Sequence, residues 1–438
     1  MADLSYSITE QVLELPGNFR KLSPREKRQV LLDLIDFSPE EMQASGPSED
    51  LLDLADVMVE SAVGVMPVPL GVASGYLVDG HTFNVPLAVE EPSVIAAATY
   101  AGRLISNHGG FTTHTTGQVM TAQVAIDGAL PGAEERIRAA SRDLHAELVD
   151  ILGPMTRRGG GFRGIDLAHF EESDLLVVYL HVDTRDAMGA NIINTAAEAL
   201  RRPLEKLSGG TVLMAILTNA APRRRACASF RIPVSALSRA GFDGETMARR
   251  IVRANEFADT DRLRAVTHNK GIMNGITSIA LATGNDTRAI EAAAHASAVR
   301  DGRYRALTEY RIVGDELVGR LELPMAVGTV GGAIGFHPVT AFALRILFMD
   351  PDIEPSADWL SRVALSLGLA QNLAALMALV SEGIQSGHMR QHARRLAWKA
   401  GARDAEIGKL AERVWKNGHF NIETARELYS ELRREQER

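Results

Sequence analysis

Two adjacent carboxylates, Glu90 and Glu91, stand in an otherwise apolar stretch of the sequence that spans residues 84–95. Burial raises the pKa of a carboxyl group, and a raised pKa makes that group a usable proton donor near neutral pH. The same pair can instead mark a helix start, because acidic side chains offset the positive end of the helix dipole. The pair therefore indicates either a general acid or a helix N-terminus.

Lys270 is the only lysine or arginine between Arg264 and Arg288, and the segment around it, 268–275, is rich in asparagine and glycine. Such residues suit loops in which the backbone approaches a ligand. An ammonium group in such a loop, with His268 as a second cation if it is protonated, could stabilise negative charge that develops on a carbonyl oxygen. An exposed surface lysine is the alternative, and it is the usual state of a lysine.

Two further side chains suit proton transfer. Asp286 follows a strand expected at 278–282 and precedes a helix expected at 287–299, so it either acts at that corner or caps the helix. His388 follows a glycine, and the ordinary pKa of histidine near neutrality fits a general acid. His392 would allow a metal pair, but the H-E-x-x-H pattern is absent, and we expect no metal.

The segment 186–195 is a candidate phosphate site. A helix that begins near Asp186 offers free backbone amides and the positive end of its dipole to a phosphate, and Gly189 would let a ligand come close. Asn191 and Asn194 then fall on one face of the helix. The segment lacks the G-x-G-x-x-G pattern of dinucleotide-binding folds, so an ordinary capped helix with a polar stripe remains the alternative.

The single cysteine, Cys227, follows three consecutive arginines at 223–225. The arginines could lower the pKa of the thiol and make it a nucleophile, whereas a half-buried structural cysteine is the more common case. One cysteine excludes an intrachain disulfide and a cysteine-rich zinc site. The run of arginines is itself compatible with a small phosphorylated ligand.

The elements that must position these residues divide the chain into units. A length of 438 residues predicts two or three domains. Between residues 112 and 220, strands and helices alternate, which predicts a compact α/β domain. Its expected elements are strands at 119–126, 175–182 and 212–217 and helices at 133–151 and 186–201, the second helix stopped by Pro203.

Outside that region we expect five elements: a helix that starts at Ser23-Pro24, a structured loop at 63–73, a helix from Pro92-Ser93 to about 105, an apolar helix at 357–381 and charged helices at the C-terminal end. Gly383 and Gly387, before the charged helices, fit a mobile flap or a plain surface appendage.

The overall charge argues against nucleic acid as the main partner. The formal net charge is -8, from 47 basic and 55 acidic residues, whereas phosphate-backbone binding favours a basic face. We find no secretory pattern, and no apolar stretch approaches the roughly 20 residues needed to cross a bilayer. We therefore expect a cytoplasmic protein with no nucleic-acid or membrane partner.

Taken together and in this order, these segments resemble the 3-hydroxy-3-methylglutaryl-coenzyme A (HMG-CoA) reductases, over residues from about 55 to 400. The Glu-Glu-Pro form of the glutamate motif, without a recognisable membrane anchor, resembles the second, bacterial-type class. The segments that carry the resemblance are Glu-Ser-Ala-Val-Gly-Val-Met-Pro-Val-Pro-Leu-Gly-Val-Ala at 60–73, Glu-Glu-Pro-Ser at 90–93, Asp-Ala-Met-Gly-Ala-Asn at 186–191, His-Asn-Lys-Gly-Ile-Met-Asn-Gly at 268–275, Gly-Asn-Asp at 284–286, Gly-Thr-Val-Gly-Gly-Ala at 328–333, Gly-Leu-Ala-Gln-Asn at 368–372 and Gly-His-Met at 387–389.

The resemblance implies four catalytic residues. Glu91 would be the proton donor and acceptor at the substrate oxygen, Lys270 the cation that stabilises the oxyanion, and Asp286 the group that tunes both. His388, on the flap, would protonate the departing coenzyme A thiolate, which leaves poorly without a proton.

The resemblance also implies binding residues. Three match groups that hold the hydroxymethylglutaryl moiety: Ser93, Arg264 and Asn274. Among them, Arg264 would pair the free carboxylate of that moiety. Four match the cofactor site: Asp186, Gly189, Asn191 and Asn219.

The family reaction reduces a thioester to an alcohol in two hydride transfers from a nicotinamide. The expected ligands are therefore HMG-CoA, mevalonate and coenzyme A. NAD(H) is favoured as the cofactor, while NADP(H) is the alternative because Arg157-Arg158, before the glycines at 159–161, could hold a 2′-phosphate. The family is dimeric with its active sites at the subunit boundary, so we expect a homodimer or a higher oligomer of dimers.

The implied fold class is α+β. We expect a large helix-rich α/β substrate domain formed by residues 1–111 and 221–382, and an inserted small ferredoxin-like α/β cofactor domain at 112–220. A C-terminal helical flap would follow at 383–438.

Two residues depart from the family pattern, and two other functions stay open. Ser61 stands where asparagine is expected and Thr287 where a bulky tryptophan is common, which bears on substrate or coenzyme A affinity.

The alternative enzyme is a coenzyme A thioester lyase or acyltransferase that uses Cys227 and a histidine without a nicotinamide. A non-catalytic acyl-CoA-binding protein is the third interpretation.

Overall fold

The computed structural model describes almost all of the chain from residue 67 onward and isolated residues before it. The described residues are 15–19, 22, 30, 33–34, 54, 58, 67–381, 383 and 385–436. The predicted helix start at Ser23-Pro24, the departure at Ser61 and residues 63–66 of the predicted loop lie outside them.

Strands and helices are both well represented in the described residues. The strands are β1 (Leu70–Val78), β2 (His81–Ala88), β3 (Phe111–Thr115), β4 (Val119–Asp127), β5 (Gly161–Phe170), β6 (Leu175–Asp183), β7 (Thr211–Leu217), β8 (Arg225–Pro233), β9 (Val299–Arg300), β10 (Arg303–Tyr304), β11 (Thr308–Val313) and β12 (Glu316–Pro324). The α-helices are α1 (Val94–Ser106), α2 (Ala133–Ala139), α3 (Ser141–Ala146), α4 (Val149–Thr156), α5 (Ala190–Ala199), α6 (Arg201–Ser208), α7 (Gly244–Thr260), α8 (Arg262–Ala282), α9 (Thr287–Ser297), α10 (Pro338–Leu347), α11 (Ala357–Leu379), α12 (Gln385–Lys399), α13 (Ala405–Asn417) and α14 (Ile422–Gln436).

A six-stranded sheet in the order β11-β12-β8-β3-β1-β2 forms the larger part of the structure, and helices α1, α8 and α11 pack against its strands. Its pairs are antiparallel except β1 with β3. Tyr76 stacks on Phe111 with ring centroids 5.7 Å apart, and its hydroxyl donates to Ala98 O of α1 at 2.7 Å. Each large apolar side chain that is fully buried here contributes on the order of 2 kcal/mol.

Helix α11 lies at the centre of this core. Ser356 caps it by accepting a hydrogen bond from Trp359 N at 3.2 Å. Its side chains are apolar on nearly all sides, which is typical of a helix buried on every face. Among the described residues it is the one helix long and apolar enough to cross a membrane, yet 78% of its apolar window is buried within the protein.

The second sheet has four antiparallel strands in the order β5-β6-β4-β7. The chain enters it as β4, then α2 to α4, then β5 and β6, then α5 and α6, and finally β7. This β-α-β-β-α-β order is the ferredoxin-like arrangement. It has its own apolar cluster, separate from that of the six-stranded sheet. The predicted α+β fold with a ferredoxin-like unit is confirmed.

Helices α12 to α14 enclose a third apolar cluster near the C-terminal end. Leu410 and Val414 of α13 are fully buried in it, against Ala393 and Ala397 of α12. The charged C-terminal helices that we expected are present.

The interpretation of residues 268–282 as a loop followed by a strand is wrong, because they belong to the 21-residue helix α8. Gly275 serves close helix packing rather than a loop. A Cβ added to Gly275 would lie 3.3 Å from the Leu367 side chain of α11, and a Cβ on Gly368 would lie 2.8 Å from Ile276. Small residues therefore let α8 and α11 approach each other closely.

Three other predicted elements also differ. Residues 70–73 of the predicted loop begin β1, and the single helix expected at 133–151 is the run of α2, α3 and α4. The helix expected to stop at Pro203 is α5 followed by α6. Pro203 occupies the first turn of α6, where an N–H would lack a helical partner in any case.

Candidate active site

Lys270 and Glu91 form an ion pair with 2.7 Å between Nζ and Oε2, although 179 positions separate them. Asn274 donates from Nδ2 to the same carboxylate oxygen at 3.3 Å. Lys270 and Asn274 are four residues apart on α8 and so share one face of the helix. The three predicted site residues are therefore in direct contact.

Two contacts hold α8 so that this face is presented to solvent. One lies at the start of the helix, and the other lies on its opposite face. Asp261 caps the helix by accepting from Arg264 N at 2.7 Å. On the opposite face, His268 is 2% exposed and its Nε2 lies 2.6 Å from Thr308 Oγ1. Burial, and to a smaller extent the charge of Arg264, lowers the pKa of His268 to about 3. His268 is therefore neutral near pH 7 and does not act as a second cation beside Lys270.

Glu91 lies between β2 and α1 and does not start a helix. The first turn of α1 contains no acidic residue, and its N-cap is Ser93, which has a left-handed φ of 73° and whose side chain makes no capping hydrogen bond. The side chain of Glu91 is 35% exposed and that of Lys270 is 58% exposed, so neither is deeply buried. The pair lies at an open surface that a substrate can reach.

A cleft of about 500 Å³ opens beside the ion pair. Glu91 and Asn274 line it, together with residues from the ends of β2, α8 and α9. Thr287, one of the two departures from the family pattern, is among them.

Asp286 lies at the corner between α8 and α9, not between a strand and a helix. Its Oδ1 caps α9 by accepting from the backbone N–H groups of Arg288 and Ala289, both at 3.0 Å. Among the described residues no hydrogen bond joins it to Lys270 or Glu91. The predicted helix cap is confirmed, and the structure does not bring Asp286 into contact with the pair.

Arg264 is half-buried one and a half turns before Lys270 on the same helix, and burial lowers its pKa. Within the described part of the chain no carboxylate forms an ion pair with its guanidinium. A cation that has lost part of its hydration and has no carboxylate partner suits an anionic ligand.

The predicted phosphate site is a helix N-terminus, as expected, but the helix begins later. Gly189 is the N-cap of α5 with φ of 88°, and the first turn has neither a capping side chain nor an acidic residue. A Cβ at Gly189 would lie 2.3 Å from Thr184, so packing alone already requires a glycine there. Asn191 is exposed, whereas the Asn194 side chain accepts from Leu217 N at 2.8 Å.

Of the two remaining predicted cofactor residues, Asp186 is held by a hydrogen bond and Asn219 is exposed. The Asp186 carboxylate accepts from Ala357 N, at the start of α11, at 3.0 Å. Asn219 is exposed in a turn after β7. His388 lies in α12, but its side chain is outside the described part of the structure.

The arginine run does not form a phosphate site. Arg223 pairs with Asp166 at 2.6 Å, and Arg225 pairs with Glu322 at 2.9 Å. Arg224 is 1% exposed and contacts backbone carbonyls, a role that nothing in the sequence distinguished from that of its two neighbours.

Cys227 lies half-buried in β8, and burial raises the pKa of its thiol despite the opposing effect of a nearby arginine. A raised pKa lowers the thiolate fraction near neutral pH, which argues against the nucleophile that the alternative enzyme requires. Across the described residues no group of three potential metal ligands occurs.

A model of the hydroxymethylglutaryl-coenzyme A reductase family matches residues 23–393. The chain is 40% identical over 424 residues to an Archaeoglobus fulgidus 3-hydroxy-3-methylglutaryl-coenzyme A reductase, covering 96% of this chain and 94% of that one. A probable reductase of Borreliella burgdorferi is 32% identical over 434 residues, covering 97% of each chain.

Solved structures of hydroxymethylglutaryl-coenzyme A reductases are also similar to this chain. A 3-hydroxy-3-methylglutaryl-coenzyme A reductase from Streptococcus pneumoniae superposes with a TM-score of 0.78 at 42% identity, covering 95% of this chain and 99% of that one. A class II reductase from the same organism, bound to NADPH in open conformations, gives 0.77 at 42% identity, covering 83% and 99%. The chain therefore belongs to the hydroxymethylglutaryl-coenzyme A reductase family, NAD(P)-dependent oxidoreductases that interconvert HMG-CoA and mevalonate.

Proposed function

We propose that HMG-CoA is reduced at the cleft where Lys270, Glu91 and Asn274 meet. The observation that carries this proposal is the 2.7 Å contact between Lys270 Nζ and Glu91 Oε2 at the edge of the cleft. Nothing in the packing of α8 demands this lysine, because its side chain is 58% exposed while the opposite face of the helix supplies the buried contacts.

The chemistry of thioester reduction fits this pair. When bound, the nicotinamide supplies a hydride to the carbonyl carbon, and negative charge develops on the carbonyl oxygen. The Lys270 ammonium is placed to stabilise that oxygen. Lys270 carries an acidic proton on Nζ, and Nζ lies within hydrogen-bond distance of Glu91 Oε2. This proton can move toward the carbonyl oxygen of the substrate as the basicity of that oxygen rises.

The other predicted residues complete the proposal. Asp286 would tune Lys270 and Glu91 from the corner beside the cleft once substrate is bound, and His388 would protonate the departing thiolate. Ser93 and Arg264 would hold the hydroxymethylglutaryl group, the Arg264 guanidinium pairing with its carboxylate.

The donor set at the start of α5 fits a dinucleotide phosphate. The first turn of α5 has neither a capping side chain nor an acidic residue, and Asn191 there is exposed. Gly189 and Asn191 would flank the phosphate, Asp186 would fix the turn, and Asn219 would add a polar contact.

We propose NADP(H) as the preferred cofactor. Arg157 and Arg158 are exposed at the end of α4, and within the described part of the chain no carboxylate pairs with either of them. They are suited to a 2′-phosphate. A class II relative is known in its NADPH-bound form, whereas no contact among the described residues supports the expected preference for NAD(H).

We propose a homodimer with shared active sites. Three large apolar side chains of α8 are exposed on the helix that carries Lys270: Leu263 at 75%, Val266 at 51% and Leu281 at 47%. Leu263 and Val266 are three positions apart near the start of the helix, and exposed apolar neighbours of this kind are typical of a protein interface.

We also propose a division into a large substrate domain of residues 1–111 and 221–382, a cofactor domain at 112–220 and a flap at 383–438. Three separate apolar clusters, each lying mostly within one of these units, support the division. A cytoplasmic location is also part of the proposal, because the apolar helix α11 is buried in the core.

Steady-state assays with purified protein test the proposed function and cofactor together. We expect NADPH oxidation that depends on HMG-CoA, a lower kcat/KM with NADH, and the reverse reaction with mevalonate, coenzyme A and NADP⁺. A higher kcat/KM with NADH would contradict the cofactor proposal alone. HMG-CoA cleavage without nicotinamide oxidation would contradict the proposed function and favour a lyase.

A further inference from the structure

Arg224 is a buried cation whose hydrogen bonds go to uncharged oxygens. Its Nη1 donates to Thr184 Oγ1 and Ala187 O, both at 3.0 Å, and to Met188 O at 3.3 Å, while its Nη2 donates to Val327 O. Burial lowers the pKa of Arg224 to about 10, so the guanidinium is still charged at neutral pH. A buried charge is costly, and the contacts that compensate it here tie two backbone segments together.

One of these segments is the turn 186–188, which leads into the N-cap of α5, and the other is 327–330. They lie side by side: Asp186 O accepts from Thr329 N at 2.8 Å, and Ala187 forms a parallel β-bridge with Val330. The contact leaves no room for a side chain at Gly328, where an added Cβ would lie 2.6 Å from Met188 N.

Asn285 fastens the second segment from the other side. Its Oδ1 accepts from Gly328 N at 2.7 Å, and its Nδ2 donates to Gly328 O at 3.1 Å. Asn285 is 8% exposed and directly precedes Asp286. A continuous set of hydrogen bonds therefore runs from the turn before α5, through Gly328, to the corner that carries Asp286.

We propose that Arg224, Gly328 and Asn285 are positioning residues that fix the turn 186–189 relative to the corner 283–286. The inference rests on the proposed function, in which that turn binds the nicotinamide cofactor and that corner borders the reacting carbonyl. The backbone amides that follow this turn can bind the cofactor phosphate only when the turn is held in place, so a shift of the turn weakens cofactor binding and raises KM for NADPH.

Gly328→Ala is the sharpest test, because the three atoms nearest to the added methyl group all belong to the turn 186–188. The φ of Gly328 is not in the left-handed region, so alanine fits the backbone itself. Gly335→Ala is the matched control, since a Cβ there meets nothing within 4 Å. We expect KM for NADPH to rise about tenfold or more in Gly328→Ala, with KM for HMG-CoA changed less than about twofold.

Asn285→Ala provides an independent test, because it removes both hydrogen bonds to Gly328 without adding volume. It should give the same split between the two KM values, at a melting temperature below that of the control, because Gly328 N and O lose their buried partner and the contacts of Nδ2 with Thr283 are lost as well. Equal changes in both KM values, or NADPH parameters like those of Gly335→Ala, would overturn the inference. Wild-type protein that does not oxidise NADPH with HMG-CoA would instead overturn the proposed function.

Discussion

His268 and Lys270 lie two residues apart on α8 and face opposite ways. Lys270 pairs with Glu91, which lines the cleft. His268 instead joins a buried set of polar side chains in which Thr308 Oγ1 donates to Asn255 Oδ1 at 2.9 Å and Asn372 lies 3.2 Å from the imidazole. Buried polar groups of this kind fix one arrangement of neighbouring elements, because any shift leaves a group unpaired. His268 therefore helps to hold α8 in place, and α8 in turn positions Lys270.

The low pKa of His268 predicts a specific pH dependence of stability. The unfolded chain takes up a proton near pH 6.5, whereas folded His268 does so only near pH 3. Stability from this group is therefore complete above pH 6.5 and is lost as the pH falls toward 3, by about 2 kcal/mol between pH 6.5 and 5. Chemical denaturation at several pH values should show a flatter dependence for His268→Gln than for the wild type.

His169→Gln serves as the control, because the His169 side chain is 43% exposed in the other sheet. A pH dependence of His268→Gln that matches both the wild type and this control would contradict the proposed neutral, buried state.

At the scale of elements, α8 shows why sequence reasoning assigned the wrong secondary structure to residues 268–282. Its sequence contains glycines, asparagines and β-branched residues, all of which have weak helix propensity. The contact with α11 decides the outcome, and that contact joins residues about 90 positions apart, such as Gly275 and Leu367. The Asp261 cap was the one local signal of the helix start.

Asp286 has two proposed roles, as the cap of α9 and as a catalytic group, and two substitutions separate them. Asp286→Asn keeps an oxygen that can cap α9, so we expect unfolding free energy near that of the wild type, while Asp286→Ala should lose about 1 kcal/mol. If the carboxylate also acts in the reaction, both variants should lose about 100-fold or more in kcat. Thermal melting and steady-state kinetics measure the two effects separately.

Near-normal turnover in Asp286→Asn, combined with a loss of stability in Asp286→Ala, would show that Asp286 is a helix cap and nothing more.

At the scale of the molecule, local patterns predicted three of the four strands of the small sheet, while β5 was not predicted. β4, β6 and β7 each begin and end within one residue of the expected positions, because alternating apolar runs bounded by turns are a local signal. The pairing of Lys270 with Glu91 is not local. No spacing rule links residues 179 positions apart, so only the family resemblance anticipated it.

The proposed dimer also belongs to this scale. Leu263→Asp places a charge on the exposed apolar face of α8, so the particle mass should fall from twice 47.4 kDa toward 47.4 kDa, with loss of turnover. Light scattering after size exclusion measures the mass. Val149→Asp, at an exposed apolar position on α4, is the matched control and should stay dimeric. A monomeric wild type with full activity would contradict shared active sites.

The most direct test compares Lys270→Ala with Lys206→Ala, an exposed lysine on α6, in NADPH-dependent reduction of HMG-CoA. We predict that kcat falls about 1000-fold in Lys270→Ala, while the Kd for HMG-CoA measured by calorimetry changes less than about threefold, because the ammonium acts on charge that develops only during the reaction. A kcat for Lys270→Ala close to that of Lys206→Ala would contradict the account.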